Sequence, residues 1–161
     1  MKQLDVLGRV ERIDLIDLGI NGVPAKIDTG ADSSSIWASN IKETNIGLQC
    51  IFFGPGSPYY TGEVVVFPRN YEITRVANSF GQKELRYKLK LRIRVNGRQI
   101  RATFTLANRS KKTYPILLGR RLLRSKFIVD VTKGRALTKV EKAKANKLKR
   151  ELKDLTKREN L

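Results

Sequence analysis

Residues 85–95 read Leu-Arg-Tyr-Lys-Leu-Lys-Leu-Arg-Ile-Arg-Val and alternate apolar with cationic side chains over their whole length. A period of two residues is the pattern of a β-strand that has one apolar and one polar face. Asn96-Gly97 follows, and this dipeptide favours a two-residue hairpin turn. Apolar residues at every second position from Ile100 to Leu106 predict the strand that returns. This hairpin places the chain in the all-β class.

Shorter strand signals lie on both sides of this hairpin. On the N-terminal side, Asn21-Gly22 is a second hairpin signal, and residues 23–27 predict a strand that runs into Asp28-Thr29-Gly30. On the C-terminal side, the apolar residues 116–118 predict a strand that ends at Gly119 and is followed by a short helix. Two units of this kind fit one β domain with internal pseudo-symmetry.

The composition changes near the C-terminus. Beyond residue 138 the chain consists mainly of Lys, Glu, Ala and Leu, and Leu148, Leu152 and Leu155 fall at helical spacing. We therefore expect one domain at residues 1–138 and a basic tail, helical or frayed, at residues 139–161. A chain of 161 residues is long enough for one such domain with its own core.

The composition also excludes several classes of enzyme. The chain has no histidine, which removes Ser-His-Asp and Cys-His nucleophile systems and histidine-ligated zinc sites. Its single cysteine, Cys50, cannot form an internal disulfide, which is typical of a reducing compartment. No apolar run reaches the roughly 18 residues of a membrane span, and the N-terminus has no apolar signal core. We therefore expect a cytoplasmic protein that does not contact membranes.

Three short motifs carry a resemblance to a known family. They are Lys-Ile-Asp-Thr-Gly-Ala at residues 26–31, a spaced Arg-Val, Ser, Gly and Arg pattern at residues 75–86, and Leu-Leu-Gly-Arg at residues 117–120. Over about residues 8–131 they resemble the retropepsin family of aspartic proteases, and more narrowly its bacterial members long labelled ATP-dependent zinc proteases. The resemblance implies a closed, retropepsin-like β-barrel. Relatives often have a histidine a few residues after the first motif, where this chain has Trp37.

The resemblance also implies roles for the motif residues. Asp28 would be the catalytic carboxylate, and Asp32 would hold the substrate backbone or pair with Arg120. Thr29 would brace the opposite loop through its hydroxyl, and Gly30 would permit a tight turn and close approach of the substrate. The full set expected to support the catalytic loop is Thr29, Gly30, Ala31, Leu117, Leu118 and Gly119.

The chemistry of an aspartic protease determines how many copies it needs. One carboxylate acts as a base that activates water, and a second, protonated one polarises the substrate carbonyl. Two carboxylates in contact share a proton, because both cannot ionise easily. The chain has a single Asp-Thr-Gly triplet, so the second Asp28 must come from a second copy related by a two-fold axis. We predict a homodimer that uses neither a metal nor a cofactor.

The inherited label of these relatives finds no support in this chain. Zinc sites use His and Cys far more than carboxylates, and the chain has no histidine and one cysteine. Gly54-Pro55-Gly56 is not followed by the Gly-Lys-Ser/Thr of a phosphate-binding loop. Because relatives are linked to ATP-grasp ligases that add glutamates to proteins, we expect ATP to belong to such a partner.

Two glycine-containing turns are candidates for the hairpin that closes over the substrate in retropepsins. The favoured one is Gly54–Gly62, because it is longer and follows a strand soon after the catalytic loop; its flap candidates are Gly54, Pro55, Gly56 and Ser57. The alternative is the turn at Asn78–Gln82. If the first loop packs far from Asp28, the second inherits the role.

The charge of the chain predicts its partners. Lys and Arg outnumber Asp and Glu by 33 to 15, which gives a net charge of +18. We name the densest ordered part of this charge the cationic face, and it consists of Arg86, Lys88, Lys90, Arg92 and Arg94. Such a surface attracts an acidic peptide or RNA, unless it is simply solvated. RNA is less favoured, because no aromatic residue lies between these charges on that face.

These inferences combine into one predicted function. We expect limited proteolysis of an acidic protein or peptide at near-neutral pH. The family's link to glutamate-adding ligases implies, as a narrower substrate, a protein or peptide that carries added glutamates. The alternative is a non-catalytic basic module on the same fold that docks on RNA or the ribosome.

Overall fold

The computed structural model describes residues 3–78, 80–135 and 138–159. These residues form eleven strands, two α-helices and a short 3-10 helix at Ile16–Leu18. The strands are β1 Asp5–Leu7, β2 Val10–Leu15, β3 Ile20–Ile27, β4 Ser34–Thr44, β5 Gly47–Phe52, β6 Val64–Phe67, β7 Tyr71–Ala77, β8 Lys83–Val95, β9 Arg98–Ala107, β10 Ile116–Leu118 and β11 Phe127–Val129. The α-helices are α1 Arg120–Leu123 and α2 Thr138–Glu159.

Six strands close into a barrel. Their order is β10, β3, β2, β8, β9 and β4, and β4 pairs again with β10 to complete the ring. The β3–β10 and β4–β9 pairs are parallel, whereas the other pairs in the ring are antiparallel. Strands β5 and β6 extend the sheet from β4, and β7 pairs with β8 outside the ring. The prediction of an all-β, closed retropepsin-like barrel is confirmed.

The apolar face of β8 enters the core over only part of its length. Leu89, Leu91 and Ile93 are buried in the barrel, but Leu85 is 65% exposed. The reason is the pairing, since β9 accompanies β8 only from Lys88 onward, and the earlier part of β8 pairs with β7 alone. The first half of this strand therefore leaves the barrel as one arm of a two-stranded hairpin.

The two Asn-Gly dipeptides behave differently. Asn96 and Gly97 have φ angles of 48° and 76° and form the two-residue turn between β8 and β9, as predicted. The turn expected at Asn21-Gly22 lies earlier, because the 3-10 helix and Gly19, with a φ of 65°, already reverse the chain. Gly22 lies inside β3 and donates its N–H to Asp14 Oδ1 over 2.9 Å beside an irregularity in the β2–β3 ladder.

The helices follow the expected plan. Helix α1 begins directly after Gly119, and α2 occupies most of the predicted tail. Leu148, Leu152 and Leu155 of α2 are exposed. Residues 136, 137, 160 and 161 lie outside the described ranges, so the division of the chain at residue 138 stays a prediction. Within the described ranges, no helix is long and apolar enough to cross a membrane.

Candidate active site

The Asp28 loop forms where two parallel strands end side by side. Leu118 of β10 is the register partner of Ile27 of β3, so both strands end at the same edge of the barrel. Asp28 donates its N–H to the carbonyl of Leu118 over 2.9 Å, and Ala31 closes the turn by donating to the carbonyl of Asp28. The Gly30 N–H donates to Asp28 Oδ1 over 3.0 Å. These bonds fix both the backbone and one oxygen of the Asp28 side chain.

Gly119 makes the close contact between the two halves of this edge. Its N–H donates to Ser34 Oγ over 3.0 Å. A Cβ atom at this position would lie 2.6 Å from the Ser33 carbonyl oxygen and 2.8 Å from that of Ala31. The next residue, Arg120, donates its N–H to Ala31 O over 2.7 Å. Only glycine fits here, which explains the Leu-Leu-Gly-Arg motif in local steric terms.

The Asp28 carboxylate is open to one side. Its side chain is 30% exposed, and Lys26 Nζ lies 3.9 Å from Oδ2. On β3, Ala25 and Ile27 are buried and Lys26 between them is exposed. Because residues two apart share a face of a strand, Lys26 lies on the same face as Asp28. Lys26 is the first residue of the Lys-Ile-Asp-Thr-Gly-Ala motif, but the sequence assigned it no role.

The other motif residues fall around this loop. The side chains of Asp32 and Arg120 form an ion pair, and both are exposed. Leu118 is buried in the core, and Leu117 is half-buried. Thr29 is exposed, and within the described residues its hydroxyl makes no hydrogen bond. Of the two alternatives for Asp32, the structure contains the pair with Arg120.

The two flap candidates have different surroundings. Gly54 is buried so tightly that a Cβ there would lie 2.5 Å from Trp37 Cζ2. The same connection is anchored by Tyr59, whose hydroxyl donates to the carbonyl of Gly22 over 3.4 Å, near the start of β3. Since Asp28 follows the end of β3, this anchor lies about 20 Å along the strand from the site.

The second candidate is the tip of the β7–β8 hairpin. Asn78 donates its N–H to the Gln82 carbonyl over 2.7 Å, and Phe80 is 90% exposed. Ser79, which is part of the predicted motif, lies outside the described residues. At the base of the hairpin, Glu43 of β4 accepts hydrogen bonds from Tyr71 over 3.0 Å and from Tyr87 over 3.4 Å.

The cationic face is largely neutralised by nearby carboxylates. Four of its five members form ion pairs, which are Arg86–Glu84, Lys88–Glu72, Arg92–Asp17 and Arg94–Asp14. Lys90 has no such pair among the described residues. Partial burial acts to raise the pKa of Asp17, but hydrogen bonds from Arg92 outweigh it and leave that pKa lowered. The strand therefore presents less free charge than its sequence indicates.

Arg109 is a second residue that sequence reasoning missed. It lies between β9 and β10, and its Nε donates to the Tyr114 carbonyl over 3.0 Å. Its Nη1 donates over 3.1 Å to Oγ of Ser35, which lies in β4, the strand that follows the Asp28 loop. Burial first, and then the positive charge of Arg86, lower the pKa of Arg109, whereas the charge of Asp28 acts in the opposite direction. Among 33 basic residues, no sequence signal distinguishes this one.

Comparisons with known proteins agree with this geometry. A family model described as RimB-like, retropepsin-like aspartic endopeptidase RimB, matches residues 6–140. The chain is 28% identical over 145 residues to a probable alpha-L-glutamate ligase from Desulfotalea psychrophila, which covers 88% of this chain and 31% of that protein. A protein of the same name from Shewanella pealeana is 28% identical over 136 residues, or 78% of this chain and 28% of that one. The chain thus spans less than a third of these relatives.

A solved structure extends the comparison to the fold. The crystal structure of a Legionella pneumophila protein of unknown function superposes with a TM-score of 0.62 at 28% identity. The match covers 81% of this chain and 96% of the Legionella chain.

Proposed function

The chain belongs to the RimB-like family of retropepsin-like aspartic endopeptidases, and from this premise we propose that it hydrolyses peptide bonds as a homodimer with one Asp28 from each copy. The observation that carries the proposal is the construction of the Asp28 loop. Its backbone is bonded to Leu118, its Oδ1 accepts the Gly30 N–H, and its remaining face is open. A carboxylate held in this way is oriented before the substrate arrives, which is what positioned acid–base catalysis requires.

The reaction needs two such groups. In the dimer, one Asp28 removes a proton from water, and the protonated Asp28 of the second copy donates a hydrogen bond to the scissile carbonyl. Water adds to the carbonyl carbon to form a tetrahedral intermediate. A proton held by the two carboxylates then passes to the amide nitrogen as the C–N bond breaks, which releases the amine and the new carboxylic acid. Because each copy supplies one carboxylate, a single copy cannot complete this cycle.

A surface suited to pairing lies beside the loop. Strands β1 and β11 form a separate parallel pair, in which Val6 and Ile128 are register partners. Both side chains are solvent-exposed, at 43% and 52%. An apolar patch on a short two-stranded sheet with open edges is a typical site for strand addition from another chain. The cavity next to it is lined by Thr29 of the catalytic loop and by Phe127 and Val129 of β11.

The substrate proposed is a glutamate-rich protein or peptide. The net charge of +18 favours acidic partners. Two relatives that share this domain are named probable alpha-L-glutamate ligases. A ligase that adds glutamates and a protease that removes them act on the same kind of chain, so an association with an ATP-grasp glutamate ligase belongs to this proposal.

The β7–β8 hairpin is the flap of this proposal. Its tip projects beyond the barrel and ends in the exposed Phe80, whereas the loop that begins at Gly54 is fixed against Trp37. A cleft lies between β4 and the part of β8 that leaves the barrel, and Gly54 and Pro55 line it together with Trp37. The Gly54–Ser57 loop, favoured from the sequence, would then be a wall of this cleft rather than its lid.

The test compares Asp28→Asn with the wild-type protein on a glutamate-rich peptide. The variant keeps size and most hydrogen bonds but cannot ionise, so turnover should fall by about a thousandfold or more. Asp154→Asn, which removes an exposed carboxylate on α2, is the matched control and should leave turnover unchanged. Circular dichroism should give the same fold for all three proteins. Cleavage that persists in Asp28→Asn, or that EDTA abolishes and zinc restores, would refute the mechanism.

A second candidate is a non-catalytic module that binds acidic chains on behalf of a glutamate ligase. The names of the relatives, and the small share of them that this chain spans, favour it. It predicts that wild-type protein and Asp28→Asn bind a glutamate-rich peptide equally and that neither cleaves it.

A further inference from the structure

Arg109 is a guanidinium group that uses only part of its bonding capacity inside the protein. A guanidinium has five N–H donors, and the bonds to Tyr114 O and Ser35 Oγ use two of them. The side chain is largely enclosed, yet no carboxylate lies within 4.0 Å of it among the described residues. Removing a cation from water without a counter-charge is costly. A site with these properties is ready for an anion.

The position of Arg109 connects it to the catalytic loop. Ser35, which accepts its Nη1–H, follows Ser34, and Ser34 accepts the N–H of Gly119 behind Asp28. The bond to Tyr114 O fixes the guanidinium from the other side. The charge of Asp28 reaches Arg109 as an attraction, and that of Arg86 as a repulsion. Arg109 is therefore joined, through Ser35 and its neighbour Ser34, to the backbone that lies directly behind the Asp28 loop.

A cleft of suitable size opens beside this residue. It has a volume of about 590 Å³ and lies between β4, the arm of β8 outside the barrel and the loop after β9. Its walls include the two sequence neighbours of Arg109, Asn108 and Ser110, together with Trp37, Leu85 and Arg86. Glu84 also lines the cleft, and its ion pair with Arg86 offsets the charge of that arginine. Arg109 itself lies behind this wall, next to Asn108 and Ser110, and among the described residues it has no carboxylate within 4.0 Å.

We propose that Arg109 is a specificity-determining residue that binds the carboxylate of a glutamate or aspartate side chain of the substrate, adjacent to the scissile bond. The inference rests on the proposed function and assigns its substrate preference to one residue. Arginine suits this task because its planar donors match both oxygens of a carboxylate. The exposed cations elsewhere supply general attraction, whereas Arg109 supplies a defined position.

A purely structural role for Arg109 makes a different prediction. If the residue only held the loop before β10 in place, its loss would slow the cleavage of every peptide by the same factor. If it binds a substrate carboxylate, its loss slows the cleavage of acidic peptides more than that of neutral ones. The ratio of the two rates therefore separates the two roles.

The experiment uses a glutamate-containing peptide and the same peptide with glutamine in place of glutamate. We expect Arg109→Gln to lower the ratio of kcat/KM for the two peptides by roughly ten- to a hundredfold, as for loss of one charged hydrogen-bonded contact. Arg109→Lys keeps the charge and should restore part of the ratio. Lys111→Gln, which removes one exposed charge from the same loop, is the matched control and should change the ratio by less than about threefold. An unchanged ratio in Arg109→Gln would overturn the proposal.

Binding measurements separate this proposal from that of proteolysis. In the Asp28→Asn background, fluorescence anisotropy of the two labelled peptides reports affinity without cleavage. If the wild-type protein cleaves neither peptide, but the double variant Asp28→Asn/Arg109→Gln loses a preference for glutamate that Asp28→Asn has, the Arg109 site stands and the protease does not. Equal affinity of Asp28→Asn for both peptides would overturn the site, whatever the outcome for cleavage.

Discussion

Replacing Gly119 with alanine tests how the barrel edge that carries Asp28 is built. The backbone at Gly119 has a φ of −93° and a ψ of 174°, which any residue adopts, so alanine causes no conformational strain. The cost comes from the added Cβ, which would lie 2.6 Å from Ser33 O and 2.8 Å from Ala31 O. These are backbone oxygens and cannot rotate away as a side chain would. The loop itself must move.

The magnitude follows from what the movement breaks. Forcing a methyl group into a packed site costs about 1–3 kcal/mol. The bonds from Gly119 N to Ser34 Oγ and from Arg120 N to Ala31 O weaken as well, at about 1 kcal/mol each. We expect the free energy of unfolding to fall by about 3 kcal/mol and Tm to fall by about 6–12 °C for a chain of this length. A shift of the Asp28 loop should also reduce kcat by about a hundredfold.

Urea denaturation and peptide cleavage measure the two effects. Gly19→Ala is the control, because Gly19 has a φ of 65° but an added Cβ would meet no atom within 4 Å. It should cost about 1 kcal/mol through strain alone and leave cleavage unchanged. If the free energy of unfolding of Gly119→Ala lay within about 0.5 kcal/mol of the wild-type value and the variant kept full activity, the close packing of Gly119 against Ser33 O and Ala31 O would not determine the geometry of the Asp28 loop.

Three further predictions concern assembly, pH and salt. Ile128→Asp should shift the protein toward monomer in analytical ultracentrifugation and abolish cleavage, whereas Ile46→Asp, at an equally exposed position, should do neither. The pKa of Asp17 is lowered in the folded state, so the ionised carboxylate stabilises the fold above its unfolded-state pKa, and this stabilisation is lost as pH falls through the folded-state pKa. Asp17→Asn should therefore lower Tm at pH 7 but not at about pH 2. An equal loss of Tm at both pH values would contradict this role of Asp17. Exposed charges are screened over about 8 Å at physiological salt, so added salt and Lys90→Glu should each raise KM for a glutamate-rich peptide and spare a neutral one, and equal effects on both peptides would remove acidic attraction as the role of this charge.

The strands that depend on local pattern were predictable from the sequence. The period-two alternation of β8 and the Asn96-Gly97 turn determine the β8–β9 hairpin without help from the rest of the chain. The turn predicted at Asn21-Gly22 was misplaced, because the chain reverses earlier, through a 3-10 helix that has no equally strong sequence signal. The closure of the barrel is not a local property, since β10 is three residues long and pairs with both β3 and β4.

The candidate site also has a part that the sequence motifs predicted and a part that they did not. The motif residues from Asp28 to Asp32 and from Leu117 to Arg120 come together because β3 and β10 end at one edge. The pairing of the cationic face could not be foreseen, because the carboxylates of Asp14 and Asp17 come from a chain segment about 75 residues away in sequence. That Arg109 has no carboxylate partner among the residues the structure describes could not be predicted either, since the absence of a contact has no sequence signal.

Strand β8 is part of both the barrel and the β7–β8 hairpin, and this constrains how its length can change. From Lys88 onward its pairing with β9 and the buried side chains at alternate positions fix its register. The same strand continues into the hairpin, so the barrel also decides which side chains of the hairpin face the cleft. Insertion of a single residue between the two parts would move Leu85 to the face that Arg86 now occupies, and Arg86 to the face of Leu85. Relatives that differ in length within this strand should therefore differ by two residues, whereas the tip beyond Lys83 is free to vary by one.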